Sequence, residues 1–526
     1  GVQTCALPIF QGKGQVCFEN MKPGNYTLRA QCFLPDNTIA KPPAVKINIP
    51  SSALTANFQH DLLNTPTIKT LLSKHPELLT TLGELSALPT KQSTSPSKGG
   101  LALEKNVHNV LEVMFVPDGL DQLRNALLST MPIYSTCKDT TNFIPVFDSK
   151  KLLAKAGLAK SLKPLINLYT VETSLVGDRL LGLAEELEKL DYVVYCSLRQ
   201  NVTNLQPPPP VEPIKPRVAN NKPCAETPDF SIRQTYLNDG MGMNVKNVWN
   251  LGETGQHASV RHLDFGVYRN HEDLVGNFTV VNSRPETEIC DHGTASTGCI
   301  IGKNNGIGIT GIAHTCNFYF YDTGDTPRMV EDLYPGDILS FDIQMRIDGY
   351  LLPHLHAKAI WDQYRYCVNA GAVVIFAGGN GGNDLLNCPT FRDWGDCGAL
   401  LVGACSSTTG RRQSFSNYGL YSSLNSWGDN VATTGYGDLQ DHEGHDRDYT
   451  PWFNGTSSAT PLVAGALALV QSYIQARGRL FLNCAQMHTL VKIAGYSEAN
   501  DHGELIGCRP NVAYMLEVLA EMVRAD

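Results

Sequence analysis

Hydrophobic and polar positions change rhythm several times along this chain. From Val16 to Ile49, short runs of β-branched and aromatic residues (VCFEN, YTLRAQCFL, VKINI) flank Lys22-Pro23-Gly24-Asn25, and that pattern predicts a hairpin. An amphipathic stretch, LLNTPTIKTLLSKHPELLTTL, leads into the polar tract Lys91 to Gly100, which reads as a linker. Between 107 and 203 the periods alternate. Val110 to Val116 reads as a strand, Leu120 to Leu128 as a helix and Leu165 to Val171 as a strand. Leu180 to Leu190 then reads as a helix and Asp191 to Leu198 as a strand. This suits a small α+β module. Pro207 to Pro210 then open a Pro-rich span reaching Pro228, so 204–226 reads as an extended junction and the clearest boundary.

From Pro228 onward, strand-like runs (ASVRHLD, DILSFDIQ, AVVIFAGG, ALLVGA) alternate with helical ones, around His356 to Ala370 and from Ser458 to Gln475. Such alternation predicts an α/β unit over 227–526, a mostly parallel doubly wound sheet with helices on both faces. Sites in such sheets form where strands end and helices begin.

Composition removes several classes. The chain has 526 residues, with 42 Lys plus Arg against 51 Asp plus Glu, a balance of −9, and no basic run of the kind that follows a phosphate backbone. A nucleic-acid partner is therefore not expected. With 42% apolar and 18% charged residues the chain is not compositionally disordered. Its longest apolar run, near Leu462 to Val470, falls short of the roughly 20 residues of a membrane span and reads as globular core.

Fifteen cysteines, none in a CxxC pair, argue against a zinc ribbon and suit disulfides in an oxidising compartment. Cys388/Cys397 and Cys484/Cys508 are the local pairs to expect, whereas Cys290, Cys299, Cys316, Cys367 and Cys405 read equally well as buried thiols. Sequons at Asn25, Asn201 and Asn277 permit glycosylation. Gly1 to Ile9 resembles a translated sequencing adapter, and setting it aside leaves an even cysteine count. No signal-peptide pattern opens the chain, which is read as a truncated form of a secreted protein.

Three segments place a catalytic type of side chain among small residues: Asp264 at a strand end in LDFGV, His292 opening a helix in DHGTASTG, and Ser457 starting an apolar helix in NGTSSATP. Alone, each has a plain structural use, as a turn former, a packed imidazole or a helix cap. Together, Asp, then His, then Ser is one of the few chain orders known for a nucleophilic triad. Pro461 is expected in the first helical turn, where a missing N–H does no harm.

HLDFGVYRNHEDL, HGTASTGCIIGKNNGIGITGIA and NGTSSATPLVAGALALV resemble the Asp, His and Ser motifs of the subtilisin-like serine proteases, the subtilases. VVIFAGGNG is similar to the strand and turn that present the family's oxyanion Asn. The resemblance covers about 227 to 520 and implies a subtilisin-like fold. It implies Asp264, His292 and Ser457 as catalytic residues and Asn380 as oxyanion donor. Asp342, Ile343, Gln344, Ala377, Gly378 and Gly379 are implied as substrate-binding, with Gly379 and Gly455 leaving room for substrate backbone. The 107–203 module then resembles an inhibitory propeptide, and 10–60 the end of a β-sandwich of the carboxypeptidase-regulatory type.

The closest subfamily resemblance is to secreted members with a long pro-region, marked by GDILSFDIQ, FSNYG and TTGYGD. The implied function is a secreted serine endopeptidase made as a zymogen, with protein or peptide substrates and its own propeptide as partners. No cofactor is required, and structural Ca²⁺ is admitted without named ligands. The reading from another class is a silent subtilase-shaped scaffold; such a protein is expected to lack one of the four groups, and all four stand. An esterase would call for G-x-S-x-G, which Gly455-Thr456-Ser457-Ser458-Ala459 does not match.

Two departures stand out. Arg261 and His262 occupy a strand that the family keeps mostly apolar, so the strand is expected to be displaced or partly wet unless partners are supplied. Where the family has Ser-Leu-Gly, this chain has Asp342-Ile343-Gln344. Either Asp342 sets a carboxylate by the substrate channel, favouring basic side chains or an acidic optimum, or it pairs internally. The acidic and imidazole groups of His442 to Asp448 read as a solvated loop in preference to a metal cluster, because they lack a zincin's helix.

Overall fold

The computed structural model describes residues 24–28, 32–33, 39–40, 45–49, 62–74, 98–103, 108–126, 130–154, 159–200, 207, 226–388, 391, 394–419, 422–441, 444–478, 481–498 and 505–524. The adapter-like segment, the VCFEN run, most of the polar linker and nearly all of the Pro-rich junction lie outside these residues. Near the N-terminus, strands β1 (Gly24–Leu28) and β4 (Val45–Ile49) pair antiparallel, as do β2 (Cys32–Phe33) and β3 (Ile39–Ala40).

The next unit is a four-stranded antiparallel sheet of β5 (Asn109–Phe115), β6 (Asn142–Pro145), β7 (Leu168–Glu172) and β8 (Val193–Gln200), in the order β6-β7-β5-β8. Helix α1 (Gly177–Glu188) buries Leu180, Leu183, Ala184 and Leu187 against it, the spacing of one helical face. The predicted strand from Leu165 starts only at Leu168. Pro164 favours a helical turn, and Lys163–Asn167 close a 3₁₀ helix first. The predicted helix from Leu120 to Leu128 is shorter, Gly119–Arg124.

A strand covered on both faces has no polar side to alternate with. The strands beyond Pro228 follow that rule and build a seven-stranded parallel sheet. Its members are β9 (Ser259–Asp264), β10 (Thr279–Val280), β11 (Asn317–Asp322), β12 (Ile338–Phe341), β15 (Val373–Ala377), β16 (Leu400–Cys405) and β17 (Ser422–Trp427). The order is β10-β11-β9-β12-β15-β16-β17. The chain therefore winds one way from β9 to β11 and the other way from β12, and the switch opens a crevice at the carboxyl ends of β9 and β12. The run DILSFDIQ, expected as one strand, breaks at Asp342: β13 (Gln344–Ile347) leaves the sheet and pairs antiparallel with β14 (Tyr350–Pro353). β18 (Val431–Thr434) and β19 (Tyr449–Phe453) form a further antiparallel pair.

Helices α2 (Cys290–Ile301) and α5 (Thr456–Gly478) share an apolar cluster with one face of the large sheet. Helices α3 (Thr326–Asp332) and α4 (Lys358–Asn369) join the cluster on the other. The stretch Thr456–Arg477 is long and apolar enough to cross a membrane by length and composition, but its residues 456–474 are buried as the core helix of this domain. Pro461 lies in its second turn, not its first; the N–H it lacks is the one that would bond the carbonyl of Ser457. Met114, Phe147, Leu152, Leu162, Leu165, Leu168 and Tyr195 of the N-terminal unit enter the α4-side cluster. Ser197 Oγ accepts from Ala359 N at 3.2 Å, capping α4 from another segment, and Glu331 of α3 takes Asp148 N at 2.6 Å and Lys151 Nζ at 3.1 Å.

Three expectations are corrected. The strand carrying Arg261 and His262 is neither displaced nor wet; it lies in register between β11 and β12 with both side chains buried. Arg261 donates to Asp337 at 2.7 Å and to Tyr321 Oη at 2.9 Å, and its guanidinium lies over the Tyr319 ring. His262 faces its cross-strand partner Ser340, with Nδ1 and Oγ 3.1 Å apart. The anticipated disulfides are not formed. Cys397, Cys484 and Cys508 are free thiols, with Cys484 Sγ directed at Val374 O and Cys508 Sγ at Lys492 O. Asn277 turns its amide nitrogen inward, to Ile301 O at 2.6 Å and His314 O at 3.0 Å, which leaves it ill placed as a glycan acceptor.

Because the Arg261–Asp337 pair is sealed from water, removing one partner strands a charge. Arg261→Ala is expected to destabilise the fold by about 3–5 kcal/mol, and the double change Arg261→Met/Asp337→Leu to recover most of it. Thermal unfolding in a Ser457→Ala background checks both.

Candidate active site

Asp264 ends β9 at the crevice and is fully buried. Its Oδ1 accepts from Phe265 N at 2.6 Å and from His292 Nδ1 at 2.6 Å, and its Oδ2 faces His262 Nε2 at 3.3 Å. A carboxylate takes its bonds from donors, so each imidazole presents N–H to it. For His262 this makes Nδ1 the acceptor of the Ser340 hydroxyl. For His292 it leaves Nε2 with a bare lone pair.

Burial alone would raise the Asp264 pKa, but the two imidazoles outweigh it and hold the carboxyl well below the usual carboxylate range. His292 moves the other way. Burial opposes its positive form, yet the Asp264 charge and hydrogen bond raise it above its ordinary value. The ring stands edge-on to Phe265 and Phe453, with centroids 5.4 and 5.7 Å away, so it cannot swing freely. Gly293 allows α2 to come this close: a Cβ there would lie 2.0 Å from Gly266 O.

His292 Nε2 is buried and makes no hydrogen bond. Ser457 stands in the first turn of α5, 5% exposed, and is not bonded to that nitrogen. Such bonds are commonly long before substrate arrives. Asn380 follows β15, and its Oδ1 accepts from Thr456 N at 2.8 Å and Thr456 Oγ1 at 2.9 Å. A backbone N–H bonds only to the oxygen end, so the amide orientation is fixed and Nδ2 is the end turned away. Gly455, at φ 86°, makes room for it, since a Cβ would sit 3.0 Å from Nδ2. That glycine thus accommodates Asn380 instead of substrate backbone. Thr456, inside the Ser motif, and Phe453, just before it, have roles that the motif alone did not signal.

The segments expected to bind substrate are placed unevenly. Ala377 and Ile343 are 2% exposed, and Gln344 begins β13 beside Asn380. Gly378 and Gly379 spend all their backbone polar groups internally. Gly378 N bonds Val402 O and Gly378 O takes Asn417 Nδ2, while Gly379 N bonds Thr456 Oγ1 and Gly379 O takes Asn417 N. They can wall a channel but have no main-chain N–H left to pair with a substrate strand.

Of the two readings of Asp342, the structure has the internal pairing and not the carboxylate beside the channel. It is fully buried, Oδ2 accepts from Ser296 Oγ at 2.7 Å, and Oδ1 has no partner. Burial first, and the Asp264 charge second, push its carboxyl well above the usual range. Neither a basic-side-chain preference nor an acidic optimum follows from it.

Among the described residues, His262, Asp264 and Asp342 are the groups close enough to share an ion. With Asp264 committed to two imidazoles and an amide, and Asp342 Oδ2 to Ser296, they do not suit Ca²⁺, which takes six to eight oxygens. In the 442–448 loop, His442 and Glu443 lie outside the described residues. His445 Nδ1 meets Asp448 at 2.9 Å, and its ring stacks on Tyr268, so this part is packed instead of solvated.

An acid, an imidazole and an alcohol, in that chain order, at the switch point of a doubly wound parallel sheet set the groups of a candidate nucleophilic triad on an α/β frame. The comparisons narrow that reading. The profile of the Subtilase family matches residues 255–494. Subtilisin BL of Lederbergia lenta is 31% identical over 228 residues, 42% of this chain and 79% of that protein. The thermostable alkaline protease of Halalkalibacterium halodurans is 29% identical over 259 residues, 48% of this chain and 67% of that one. Fervidolysin from Fervidobacterium pennivorans, a keratinolytic enzyme related to subtilisin, matches in fold. Its TM-score is 0.51 at 16% identity, covering 82% of this chain and 64% of that one. The chain belongs to the subtilase family.

The signs of the two shifts give a direct test. In a Ser457→Ala protein, proton NMR titration of His292 is expected to give a pKa above the ordinary 6.5. With Asp264→Asn added, burial acts without its counter-charge and the value should fall below 6.5.

Proposed function

We propose that this protein is a serine endopeptidase in which Ser457 is the nucleophile, His292 the general base and acid, Asp264 the group that holds the imidazole, and Asn380 an oxyanion donor. One observation carries the reading: the 2.6 Å bond from His292 Nδ1 to Asp264, which leaves an unbonded, buried Nε2 on the ring. A neutral serine hydroxyl is a poor nucleophile, so that free lone pair is the chemical requirement.

As Oγ of Ser457 attacks the scissile carbonyl, its proton passes to His292 Nε2 and the carbonyl oxygen takes the negative charge. Asn380 Nδ2 and the Ser457 N–H donate to that oxygen. The C–N bond then breaks, the proton goes to the departing amine, and an acyl group remains on Ser457. Water, deprotonated by the same imidazole, releases it. Asp264 stays ionised throughout and stabilises the imidazolium.

The N-terminal sheet enters the proposal as an inhibitory pro-segment. Its support is the shared apolar cluster and the Ser197 cap on α4, together with the course of β8. The strand ends with Arg199 and Gln200 beside Met345 and Ile347 of β13. The proposal includes an extracellular site of action, which the family resemblance supports and the described thiols do not.

Expressing the chain and its Ser457→Ala form, then sequencing the N-termini, tests the reading. Cleavage within 200–227 is expected in the first and an intact chain in the second. Equal processing in both, with no peptide hydrolysis by either, would count against it.

A further inference from the structure

The side chain of Gln344 has one end fixed and the other unused. Oε1 accepts from Asn380 N at 2.8 Å. Since the oxygen end must face that N–H, the other end is a donor, and this Nε2 is buried without a hydrogen-bond partner. A buried amide donor left unpaired is costly, and native structures keep few of them. A purely structural tie between β13 and Asn380 explains Oε1 and leaves Nε2 unexplained.

The position of this donor gives it a use, on the reading that Ser457 and Asn380 act as proposed. The carbonyl under attack must sit between Ser457 Oγ and Asn380 Nδ2. On that reading the side chain of the residue that carries it is expected to run beside the peptide of Asn380, where Gln344 is anchored. The rest of that wall offers little polarity. Gly378 and Gly379 have no main-chain N–H to spare, Asp342 is turned into the core, and Ile343 is buried. We propose that Gln344 is a specificity-determining residue whose side-chain N–H donates to a carbonyl-bearing side chain, Gln or Glu, on the substrate residue that carries the scissile carbonyl. Substrate supplies the missing acceptor. An apolar side chain of the same length leaves the donor orphaned, and a Lys side chain sets donor against donor.

The test compares kcat/KM for matched peptides differing only at that residue, Gln, Met or Lys, using the full chain after self-processing. Gln is expected to exceed Met by about tenfold, the order expected for leaving one buried neutral donor without its acceptor. Gln344→Glu keeps an acceptor for Asn380 N–H but exchanges the donor for a second acceptor, so the order should invert in favour of Lys. Gln344→Met, which deletes the donor at constant length, should bring Gln and Met to within about twofold. A wild-type enzyme that cleaves all three alike, or variants that keep its order, would overturn the inference while leaving the peptidase reading intact. A wild-type chain that cleaves none of them would overturn both.

Discussion

The site rests on a charge that burial opposes. Asp264 and His292 are both closed off from water, and each alone would be driven toward its neutral form. Their 2.6 Å contact reverses that tendency for both. The surrounding fold serves to keep that contact short: β9 runs inside the sheet between β11 and β12, α2 is drawn against the Gly266 turn through Gly293, and two phenyl rings close on the imidazole. A site of this kind needs a rigid frame, because a displacement of about an ångström can cost as much as losing a group.

Around that pair the polar groups are sorted by charge. His262 occupies the second oxygen of Asp264, and Ser340 in turn occupies the far nitrogen of His262. Burial and the Asp264 charge push the carboxyl of Asp342, close by, in the opposite direction to that of Asp264. The opposite face of β9 carries the separate Arg261–Asp337 pair, closed by Tyr321. A strand that relatives fill with apolar side chains is polar here without being wet, because each polar group meets a partner on an adjoining strand or turn.

Much of this was legible in the sequence, and the parts that were not share a cause. Strand–helix alternation announced the parallel sheet, and the small-residue settings of Asp264, His292 and Ser457 marked where it would carry chemistry. The partners of Arg261 and His262 were not readable, since they follow from the β11-β9-β12 order and register, which no local pattern encodes. The sequence left Asp342 undecided between channel and core because the run DILSFDIQ hides a break: the chain leaves the sheet at that residue, so the Asp points inward while Gln344 reaches Asn380. The cysteine pairs failed for a similar reason. Closeness in sequence says little about separation once Cys484 and Cys508 sit on different elements.

The central claim is that one hydroxyl among many is made reactive by this buried relay, and covalent labelling measures that directly. After reaction of the processed protein with a fluorophosphonate, peptide mass spectrometry should find a single adduct, on Ser457, that disappears when His292 is replaced by Ala. An adduct spread over several serines, or one on Ser457 that forms equally fast without His292, would contradict the account.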